Sequence, residues 1–495
     1  MTAQRQLADR ALGPAPRASD ARLEAFNAER ASHWDAVART GAAPSIFARE
    51  YYRRLTDVYR FLVPAGLRVL EVGCGGGDLL AALEPREGVG IDFSSEMVSR
   101  ASRDHPALRF LHGDAHDLGA LDGTFDVVIL SDLLNDVFDV QQVLTQVHRV
   151  CLPSTRIVLN VFSRLWEAPL RTATALRLAR PRLEQNWLTL QDVRGLLSLS
   201  GFEIVEHRQD VLLPAPIPLL RSLANRYLVK LWPLRDLALT NVVVARPLAE
   251  RRQLPERPTV SVIVPARNEA GNVARIFREV PEMGGGTEIV FVEGHSRDDT
   301  YDVIAAAIRD RPGGGCSLYR QQGKGKGDAV RLGFEKAKGD ILMILDADLT
   351  VAPSDLTRFY DAITTGKGEF INGVRLVYPM ADEAMRFFNL LGNKFFSWAF
   401  SWLLGQPIKD TLCGTKVLWK SDYARIARNR AYFGDFDPFG DFDLLFGAAR
   451  LSLKIVEVPI RYGAREYGTT NIERWRHGWL LLRMVLFAAR RIKFV

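Results

Sequence analysis

A short, almost wholly apolar run that ends in two carboxylates constrains the fold more than any other part of the sequence. Residues 341–345 are Ile-Leu-Met-Ile-Leu, and Asp346 and Asp348 follow with one residue between them. A bounded apolar run of this length predicts a buried strand of a parallel sheet. In open α/β sheets ligands bind beyond the carboxyl ends of the strands, and residues two apart in a strand project to the same side. The run therefore predicts either a site in which both carboxylates hold a hard divalent cation or an ordinary strand-end turn.

Length and composition bound the remaining possibilities. The 495 residues are too many for one hydrophobic core and predict two or three domains. Apolar residues make up 47% and charged residues 25% of the chain, which is ordinary for globular proteins and excludes wholesale disorder. The net charge of +7 suits anionic partners, namely nucleic acid, acidic lipid or phosphorylated substrates. Four scattered cysteines favour a reducing compartment, and we expect neither a signal peptide nor a membrane-spanning run.

The first half of the chain shows strands that alternate with helical segments, which predicts a doubly wound parallel sheet. The first strand, within residues 67–80, leads into a glycine turn whose spaced residues are Glu71, Gly73, Gly75 and Gly77. The second strand ends at Asp92, about 20 residues on, where an acid can accept hydrogen bonds from ribose hydroxyls. The third leads to Asp114 and the fourth to Asp132.

This motif set resembles that of the class I S-adenosylmethionine-dependent methyltransferases over residues 45–245. The resemblance implies that the glycine loop packs against the methionine part of S-adenosylmethionine, that Asp92 holds the ribose and that Asp114 lies at the adenine. Asp132, Asp136 and His148 are candidate catalytic bases, with a structural role as the alternative for His148. The absence of an N-P-P-Y-type signature favours an oxygen acceptor. The alternatives are a domain that binds no cofactor and a regulatory or docking module that binds it without methyl transfer.

The segments around this domain are less informative. Residues 1–44 are predicted to be a partly disordered or helical lead-in, and residues 246–258 form a charged, proline-containing linker. An insert at 212–231 is rich in proline and leucine. We expect it either to cap the methyl-acceptor pocket or to dock against the second domain.

The second half, from residue 259 to about 475, resembles the family 2 glycosyltransferases of GT-A fold, and within them the polyprenyl-phosphate sugar synthases such as dolichyl-phosphate mannose synthase. The resemblance implies that Asp346 and Asp348 bind Mg²⁺ or Mn²⁺ and the diphosphate of a nucleotide-sugar donor. Glu269 and Glu293 would lie at the nucleoside, and Lys326, in a glycine loop, would line the phosphate path. Residues 293–296 are Glu-Gly-His-Ser where the family usually has a D-D-G-S-type turn, which leaves UDP and GDP both open.

The resemblance continues on the acceptor side of this domain. Arg375 and Arg386 stand where the synthases hold the lipid phosphate, and planar guanidinium groups suit phosphate oxygens. Asp410 lies in a turn that resembles the one shaping the sugar pocket. Arg465 lies in a late loop and would meet the donor diphosphate.

Two acids near residue 440 complete the candidate site. Asp441 is the candidate catalytic base by its place in the fold, but a phosphate acceptor is already ionised and needs no base. Asp441 and Asp443 are therefore alternatively expected to orient sugar hydroxyls.

Two apolar helices are predicted at 385–404 and 476–495, each interrupted by regularly spaced polar or basic residues. Aromatic, basic, amphipathic helices lie in the membrane interface. They predict a cytoplasmic protein that is peripheral on the inner face of the membrane. The alternative is that they form core or the surface of a homo-oligomer. No nucleic-acid recognition motif is present, so nucleic acid is not an expected partner.

Together these features predict a bifunctional enzyme of two α/β domains. The glycosyltransferase would move a sugar from a UDP- or GDP-sugar to a polyprenyl phosphate with inversion, and the methyltransferase would methylate a hydroxyl in the same glycan pathway. The alternative is a glycosyltransferase that acts directly on a glycan acceptor, with a non-catalytic N-terminal domain that binds S-adenosylmethionine.

Overall fold

The computed structural model describes residues 18–41, 44–175, 183–248, 256–311, 314–375, 387–433, 442–461, 463 and 474–495. The chain divides into two compact units, Met1–Pro247 and Leu248–Val495. Within the described ranges each unit contains one seven-stranded sheet with helices around it. The predicted α/β class with two sheets is therefore confirmed.

The first sheet is parallel apart from one strand and is preceded by two helices. In chain order its strands are β1 (Arg68–Val72), β2 (Glu87–Asp92), β3 (Arg109–His112), β4 (Phe125–Ser131), β5 (Cys151–Phe162), β6 (Phe202–Asp210) and β7 (Thr240–Pro247). The spatial order is β3-β2-β1-β4-β5-β7-β6, with β7 antiparallel to both its neighbours. The strand order reverses between β1 and β4, so the loops after these strands border the ligand crevice.

Helices precede and connect these strands. They are α1 (Ala18–Thr40), α2 (Ile46–Leu62), α3 (Asp78–Ala82), α4 (Ser95–Asp104), α5 (Val140–Arg149), α6 (Glu167–Ala175) and α7 (Leu190–Leu199). Residues 220–230 form a run of short helical turns. Strand β7 extends to Pro247, two residues into the predicted linker, and Pro247 pairs with Phe202 of β6.

The second sheet repeats the strand-order reversal. Its strands are β8 (Val260–Ala266), β9 (Thr287–Glu293), β10 (Cys316–Arg320), β11 (Ile341–Ile344), β12 (Phe370–Val374), β13 (Lys416–Trp419) and β14 (Ile455–Pro459). Their order is β10-β9-β8-β11-β13-β12-β14, and β13 runs antiparallel to β11 and β12. Here the reversal lies between β8 and β11, which sets the crevice at the loops that follow them.

The helices of the second unit include two long apolar ones near the end of the chain. The full set described is α8 (Val273–Glu279), α9 (Thr300–Arg309), α10 (Lys326–Lys336), α11 (Leu356–Thr364), α12 (Phe387–Leu404), α13 (Lys420–Arg428), α14 (Phe442–Arg450) and α15 (Arg474–Ala488). Helices α12 and α15 pack against each other, and α12 buries Phe400 while Trp398 is exposed. Among the described residues no helix combines the length and the apolar character that crossing a bilayer requires.

The apolar run before Asp346 forms strand β11, as predicted, but the strand ends at Ile344. Asp346 and Asp348 lie in the turn that follows, where the backbone N–H of Leu349 donates to the carbonyl of Asp346 at 3.1 Å. Strand alternation therefore does not set the direction of these carboxylates, and their facing one ligand stays a prediction. The turn, which holds Leu349 at a φ of +52°, sets their direction.

Candidate active sites of the two units

The loop after β1 places its glycines in the left-handed region, with φ of +75° at Gly73, +49° at Gly75 and +77° at Gly77. Residues with a Cβ rarely adopt this conformation. A Cβ at Gly73 would lie 2.8 Å from a methyl group of Leu133, and one at Gly77 would lie 2.5 Å from the ring of Phe110. A Cβ at Gly75 would meet no atom within 4 Å. Packing thus explains two of the glycines, while the third borders space that a ligand can enter.

Asp92 ends strand β2 beside this loop and is buried. Its two carboxylate oxygens accept backbone N–H groups, Oδ2 from Gly75 at 2.8 Å and Oδ1 from Ser94 at 2.9 Å. Burial raises the pKa of Asp92, and these two hydrogen bonds oppose the rise. A carboxylate has about four acceptor positions, so Asp92 retains capacity for the hydroxyls of a ribose.

Glu71 lies within β1 beneath the glycine loop and is only 2% exposed. Burial raises the pKa of Glu71 to about 8, so this carboxyl group is mostly protonated at neutral pH. Its Oε2 atom is buried without a hydrogen-bond partner among the described residues. An unsatisfied buried acid is costly, and a ligand with a positive charge would complete its contacts. The cationic groups of S-adenosylmethionine fit this requirement.

Asp114 follows β3 and is held by partners from two directions. Its Oδ1 accepts the backbone N–H of His116 at 2.9 Å and lies 2.7 Å from the His116 Nδ1 atom. Its Oδ2 accepts from the Asn27 side-chain amide at 2.6 Å. Burial acts to raise the pKa of Asp114, but the hydrogen bonds from His116 and Asn27 outweigh it and lower the pKa. Asn27 belongs to α1, within the segment that the sequence analysis treated as a lead-in.

Helix α1 is fastened to the loops of the crevice by further polar side chains that the sequence analysis missed. Asp35 accepts from the Ser94 hydroxyl at 2.5 Å, next to Asp92. Arg30 donates to Asp136 at 2.9 Å, in the loop after β4. The helix therefore spans the loops after β2, β3 and β4. The sequence indicates this helix only weakly, because its residues are mostly polar and form no wide apolar stripe.

Asp132, the candidate base of the first unit, follows β4 with a φ of +54°. Its Oδ1 accepts from the Tyr51 hydroxyl at 2.8 Å and from the Asn160 amide at 2.5 Å. The Tyr59 hydroxyl donates in turn to the Asn160 carbonyl oxygen at 2.8 Å. Burial, and then the charge of Asp132, raise the pKa of both tyrosines. These partners come from α2 and β5, which are distant from Asp132 in the chain, so the local sequence does not reveal them.

In the second unit Lys326 and Asp346 are in direct contact. The Lys326 Nζ atom lies 2.6 Å from the Asp346 Oδ1 atom, and the Cα of Gly414 faces both groups so closely that a Cβ there would collide with them. Asp348 accepts from the backbone N–H and the hydroxyl of Thr350 at 3.2 and 2.8 Å. Three segments of the second unit thus converge at the carboxyl edge of its sheet, namely the glycine-containing segment 323–327, the turn 346–350 and the turn 410–414.

Asp346 and Asp348 have the chemistry of ligands for a hard cation, which prefers oxygen. In the described ranges no group of three or more His, Cys, Asp or Glu residues is arranged to hold a metal ion. Two carboxylates with a neighbouring ammonium group suit a cation whose remaining ligands are phosphate oxygens and water, as Mg²⁺ commonly has.

The two candidate nucleoside contacts lie near the carboxyl ends of neighbouring strands, Glu293 at the end of β9 and Glu269 in the loop after β8. The register of these strands pairs Ala266 with Glu293, whose Oε1 accepts the backbone N–H of Ser296 at 2.5 Å. Glu269 is buried, and its Oε2 accepts from the Asn272 amide at 2.7 Å. His295, at a φ of +57°, lies 3.2 Å from the Gly323 carbonyl and shapes the turn.

Arg375 and Asp410, both predicted to contact substrate, bind each other. The guanidinium donates to the two carboxylate oxygens at 2.7 and 2.9 Å, and Asp410 Oδ1 also accepts the backbone N–H groups of Leu412 and Cys413. Burial opposes ionisation of Asp410, but Arg375 holds its pKa below the ordinary value. Asp410 therefore fixes both the 410–414 turn and the direction of Arg375.

The remaining predicted acceptor residues are distributed differently. Asp443 lies in α14, is buried and accepts from Arg430 Nε at 2.8 Å. Arg386, Asp441 and Arg465 lie outside the described residues. A small groove borders the 410–414 turn between α12 and α15. Its lining combines apolar and polar side chains, namely Phe396, Ser397, Lys409, Asp410, Thr411, Leu412 and Leu481.

Comparison with known proteins supports a separate relationship for each unit. Residues 70–159 match the family model described as a methyltransferase domain, and residues 261–422 match that of glycosyl transferase family 2. Among solved structures, the first unit is similar to an S-adenosylmethionine-dependent methyltransferase from Mesorhizobium loti. Sequence identity is 22% and the TM-score is 0.31, with 38% of this chain and 96% of that chain covered.

Curated relatives match the second unit. Glycosyltransferase AglJ of Haloferax volcanii is 27% identical over 230 residues, covering 46% of this chain and 71% of the relative. The dolichol-phosphate mannosyltransferase of Pyrococcus furiosus is 29% identical over 248 residues, covering 48% and 67%. An undecaprenyl-phosphate 4-deoxy-4-formamido-L-arabinose transferase of Pseudomonas aeruginosa is 30% identical over 111 residues, covering 22% and 33%. The chain thus spans from a third to about seven tenths of these relatives. Each half of the chain thus matches the model of the family that its motifs resemble, a methyltransferase domain in the first unit and glycosyl transferase family 2 in the second.

Proposed function

We propose that the second unit transfers a sugar from a UDP- or GDP-sugar to a polyprenyl phosphate, and that the first unit methylates a hydroxyl group of the same glycan pathway with S-adenosylmethionine. The names of the relatives from Pyrococcus and Pseudomonas support a polyprenyl-type phosphate as acceptor. Attack of a phosphate oxygen on the anomeric carbon in a single displacement inverts that centre.

The donor half of this proposal rests on the convergence around Asp346. Asp346 and Asp348 would hold Mg²⁺ or Mn²⁺, which supplies Lewis-acid neutralisation of the charge on a nucleotide leaving group. The Lys326 ammonium group forms an ion pair with the Asp346 carboxylate and would contact the diphosphate. Glu269 and Glu293, buried at the adjoining strand ends, would accept hydrogen bonds from the nucleoside.

The groove beside the 410–414 turn is the observation that carries the acceptor half. Phe396, Leu412 and Leu481 give it apolar walls, while Lys409 offers a cation at the same place. A phosphate attached to a hydrocarbon chain needs both features. Arg375, held in place by Asp410, would bind the phosphate from the sheet side. Attack by the phosphate requires no catalytic base, since the phosphate is already ionised.

Membrane contact fits the same acceptor. Helices α12 and α15 expose large apolar side chains, including Trp398 and Trp479. Arg483 of α15 and Arg490, in the helical turn that follows α15, are exposed as well. Aromatic and basic residues on one surface favour the headgroup region of an anionic leaflet. We therefore propose a peripheral position on the cytoplasmic face of the membrane.

For methyl transfer, Asp132 is the proposed base. It would accept the proton of the acceptor hydroxyl, and Tyr51 and Asn160 would orient its carboxylate through their hydrogen bonds to Oδ1. Asp92 would hold the ribose of the cofactor. The methionine part would lie against the loop at Gly75, where the structure leaves room beside the backbone.

Sugar transfer is the experiment that tests the proposal. The purified full chain is given labelled UDP- and GDP-sugars with Mg²⁺ or Mn²⁺, with and without polyprenyl phosphate, and label entering the organic phase is counted. Lipid-dependent label that disappears in Asp346→Ala and persists in Asp361→Asn, an exposed carboxylate on α11, supports the proposal. Transfer only to a glycan acceptor, with no organic-phase label from any donor, refutes the lipid acceptor.

The methyltransferase half is tested on the product of that reaction. Labelled S-adenosylmethionine is added to wild type and to Asp92→Ala, and both cofactor binding and methylated product are measured. Loss of binding together with loss of product supports catalysis. Loss of binding with no methylated product in either form, and with sugar transfer intact, instead identifies a non-catalytic module.

A further inference from the structure

The insert between β6 and β7 presents an apolar surface to solvent. Across residues 217–237, here called the apolar insert, Leu219 is 88% and Trp232 is 74% exposed. Further large side chains of the same segment are at least two-fifths exposed, namely Ile217, Leu220, Leu223, Tyr227, Leu231 and Leu237. Single exposed apolar residues are ordinary, but a contiguous set of this size marks an interaction surface.

The insert has apolar side chains on both its buried and its exposed sides. Ala224 and Val229 are buried, whereas Leu220, Leu223, Tyr227 and Leu231 are exposed. The buried side includes Asn225, whose amide exchanges two hydrogen bonds of 2.8 Å with the backbone of Leu213.

The second polar anchor is Lys230, which is 6% exposed and whose Nζ lies 2.5 Å from the Asp210 carboxylate. Asp210 in turn accepts both forks of the Arg54 guanidinium, at 2.8 and 3.0 Å. Polar contacts and the buried Ala224 and Val229 thus attach the insert to its domain, while Leu219, Leu220 and Leu223 remain exposed. Water disfavours this arrangement, and an apolar surrounding favours it.

The backbone of Leu219 is strained. Its φ is +62° and its ψ is −54°, a region that a leucine rarely adopts. The residue in this conformation is also the most exposed large apolar residue in the described part of the chain. A strained backbone that holds a leucine away from the domain is expected where the side chain has a partner.

The charges of the insert identify the kind of partner. Arg221, Arg226 and Arg235 lie among the exposed leucines, and Asp236 is the one carboxylate between 217 and 237. Arg221 also bonds Glu50 of α2 at 2.7 Å, which brings the insert beside a helix with its own exposed apolar residues at 46 and 47. Leucine with interfacial tyrosine, tryptophan and arginine is the composition that binds the headgroup and upper acyl region of an anionic bilayer.

We propose that the apolar insert is a membrane-docking surface of the methyltransferase unit, specific for anionic lipid. It is distinct in sequence from the α12 and α15 surface of the other unit, and it does not depend on the acceptor of the glycosyltransferase. Docking there would present lipid-linked molecules to the methyltransferase unit.

Site-specific fluorescence tests this proposal in the full chain. Cys151 and Cys316 are replaced by serine, the buried Cys74 and Cys413 are kept, and an environment-sensitive dye is attached at Leu219→Cys. Vesicles of phosphatidylcholine with phosphatidylglycerol should shift its emission to the blue, and brominated acyl chains should quench it. A dye at Arg103→Cys, on the exposed side of α4, is the control and should not respond.

Affinity supplies the second measurement. Leu219→Ser combined with Trp232→Ser should lower binding to anionic vesicles at least tenfold, while Leu199→Ser, an equally simple loss of a 70% exposed leucine outside the insert, should leave it unchanged. Both proteins should bind S-adenosylmethionine as wild type does, which shows that they are folded. A variant with Trp398→Ser and Trp479→Ser, which alters α12 and α15 instead, should still bind anionic vesicles, because its apolar insert is intact.

Two results would overturn the proposal. A dye at position 219 that stays accessible to aqueous iodide on bound vesicles would show that the insert remains in water. A dye already shielded without vesicles would assign the surface to protein instead, to a second copy if shielding depends on protein concentration and to the other unit if it does not.

Discussion

Replacing Glu71 by Gln tests whether the first unit keeps a protonated acid in its core. Burial raises the pKa of Glu71 from its ordinary value of 4.5 to about 8. Between these values the unfolded chain ionises this group and the folded chain does not. The folded pKa is the higher one, so the contribution to stability is complete below about pH 4.5 and is lost as pH rises toward 8.

The size of the effect follows from the shift. A pH of 7 lies about 2.5 pH units above the ordinary pKa of the glutamate carboxyl group. Each pH unit in this interval lowers the free energy of unfolding by about 1.4 kcal/mol, so wild type loses about 3 kcal/mol by pH 7. Glutamine has the same shape and carries no ionisation. Glu71→Gln should therefore come within about 1 kcal/mol of wild type near pH 5 and exceed it by about 3 kcal/mol at pH 7 without cofactor.

Hydrogen exchange measured by mass spectrometry provides the assay, because it reports β1 and β4 separately from the second unit. Protection is compared from pH 5 to pH 8 for wild type, Glu71→Gln and Asp57→Asn, the last controlling for loss of an exposed carboxylate in the same unit. Wild-type and Glu71→Gln free energies that stay parallel across this range would refute the assignment of a buried neutral acid.

Three further changes probe contacts in both units. Binding of S-adenosylmethionine at pH 7 should release a proton from wild type but not from Glu71→Gln, as calorimetry in buffers of different ionisation enthalpy would show; equal release contradicts contact with Glu71. Asp210→Asn should cost about 3–5 kcal/mol in thermal unfolding by leaving buried cations unpaired, and adding Lys230→Met should recover part of it; strict additivity contradicts the coupling. Asp410→Asn should lower sugar transfer about 10- to 100-fold, mainly through KM for the lipid, because Arg375 loses a charged partner; an unchanged KM contradicts this positioning.

Residues whose roles follow from local sequence were predictable. The glycine loop follows β1 directly, Asp92 is the last residue of β2, and Asp346 lies two residues after β11, so strand periodicity and turn chemistry placed them at the carboxyl edges of their sheets. The direction of Asp346 was not predictable in the same way, since β11 ends before it and the turn at Leu349 orients it.

Contacts between distant segments were beyond the sequence. Asn27 lies 87 residues from Asp114, and nothing in the pattern of α1 indicates that it reaches the crevice. Arg375 and Asp410 were each identified as residues that contact a ligand, but charge alone does not tell whether two opposite groups face a substrate or each other. The exposed face of the apolar insert was hidden for a related reason, because leucine spacing reports a helix face and not the side on which solvent lies.

Helix α1 has a consequence for the timing of turnover. It bonds the loops after β2, β3 and β4 together through Asp35, Asn27 and Arg30. Opening the crevice beneath it breaks these bonds in concert, at roughly 1 kcal/mol net for each neutral bond and more for charged ones. Under the proposed function, S-adenosylmethionine would enter and its demethylated product would leave only after these bonds open, and helix release would then compete with chemistry as the slow step. Helix α1 thus couples the motions of three loops that are distant from one another in the chain.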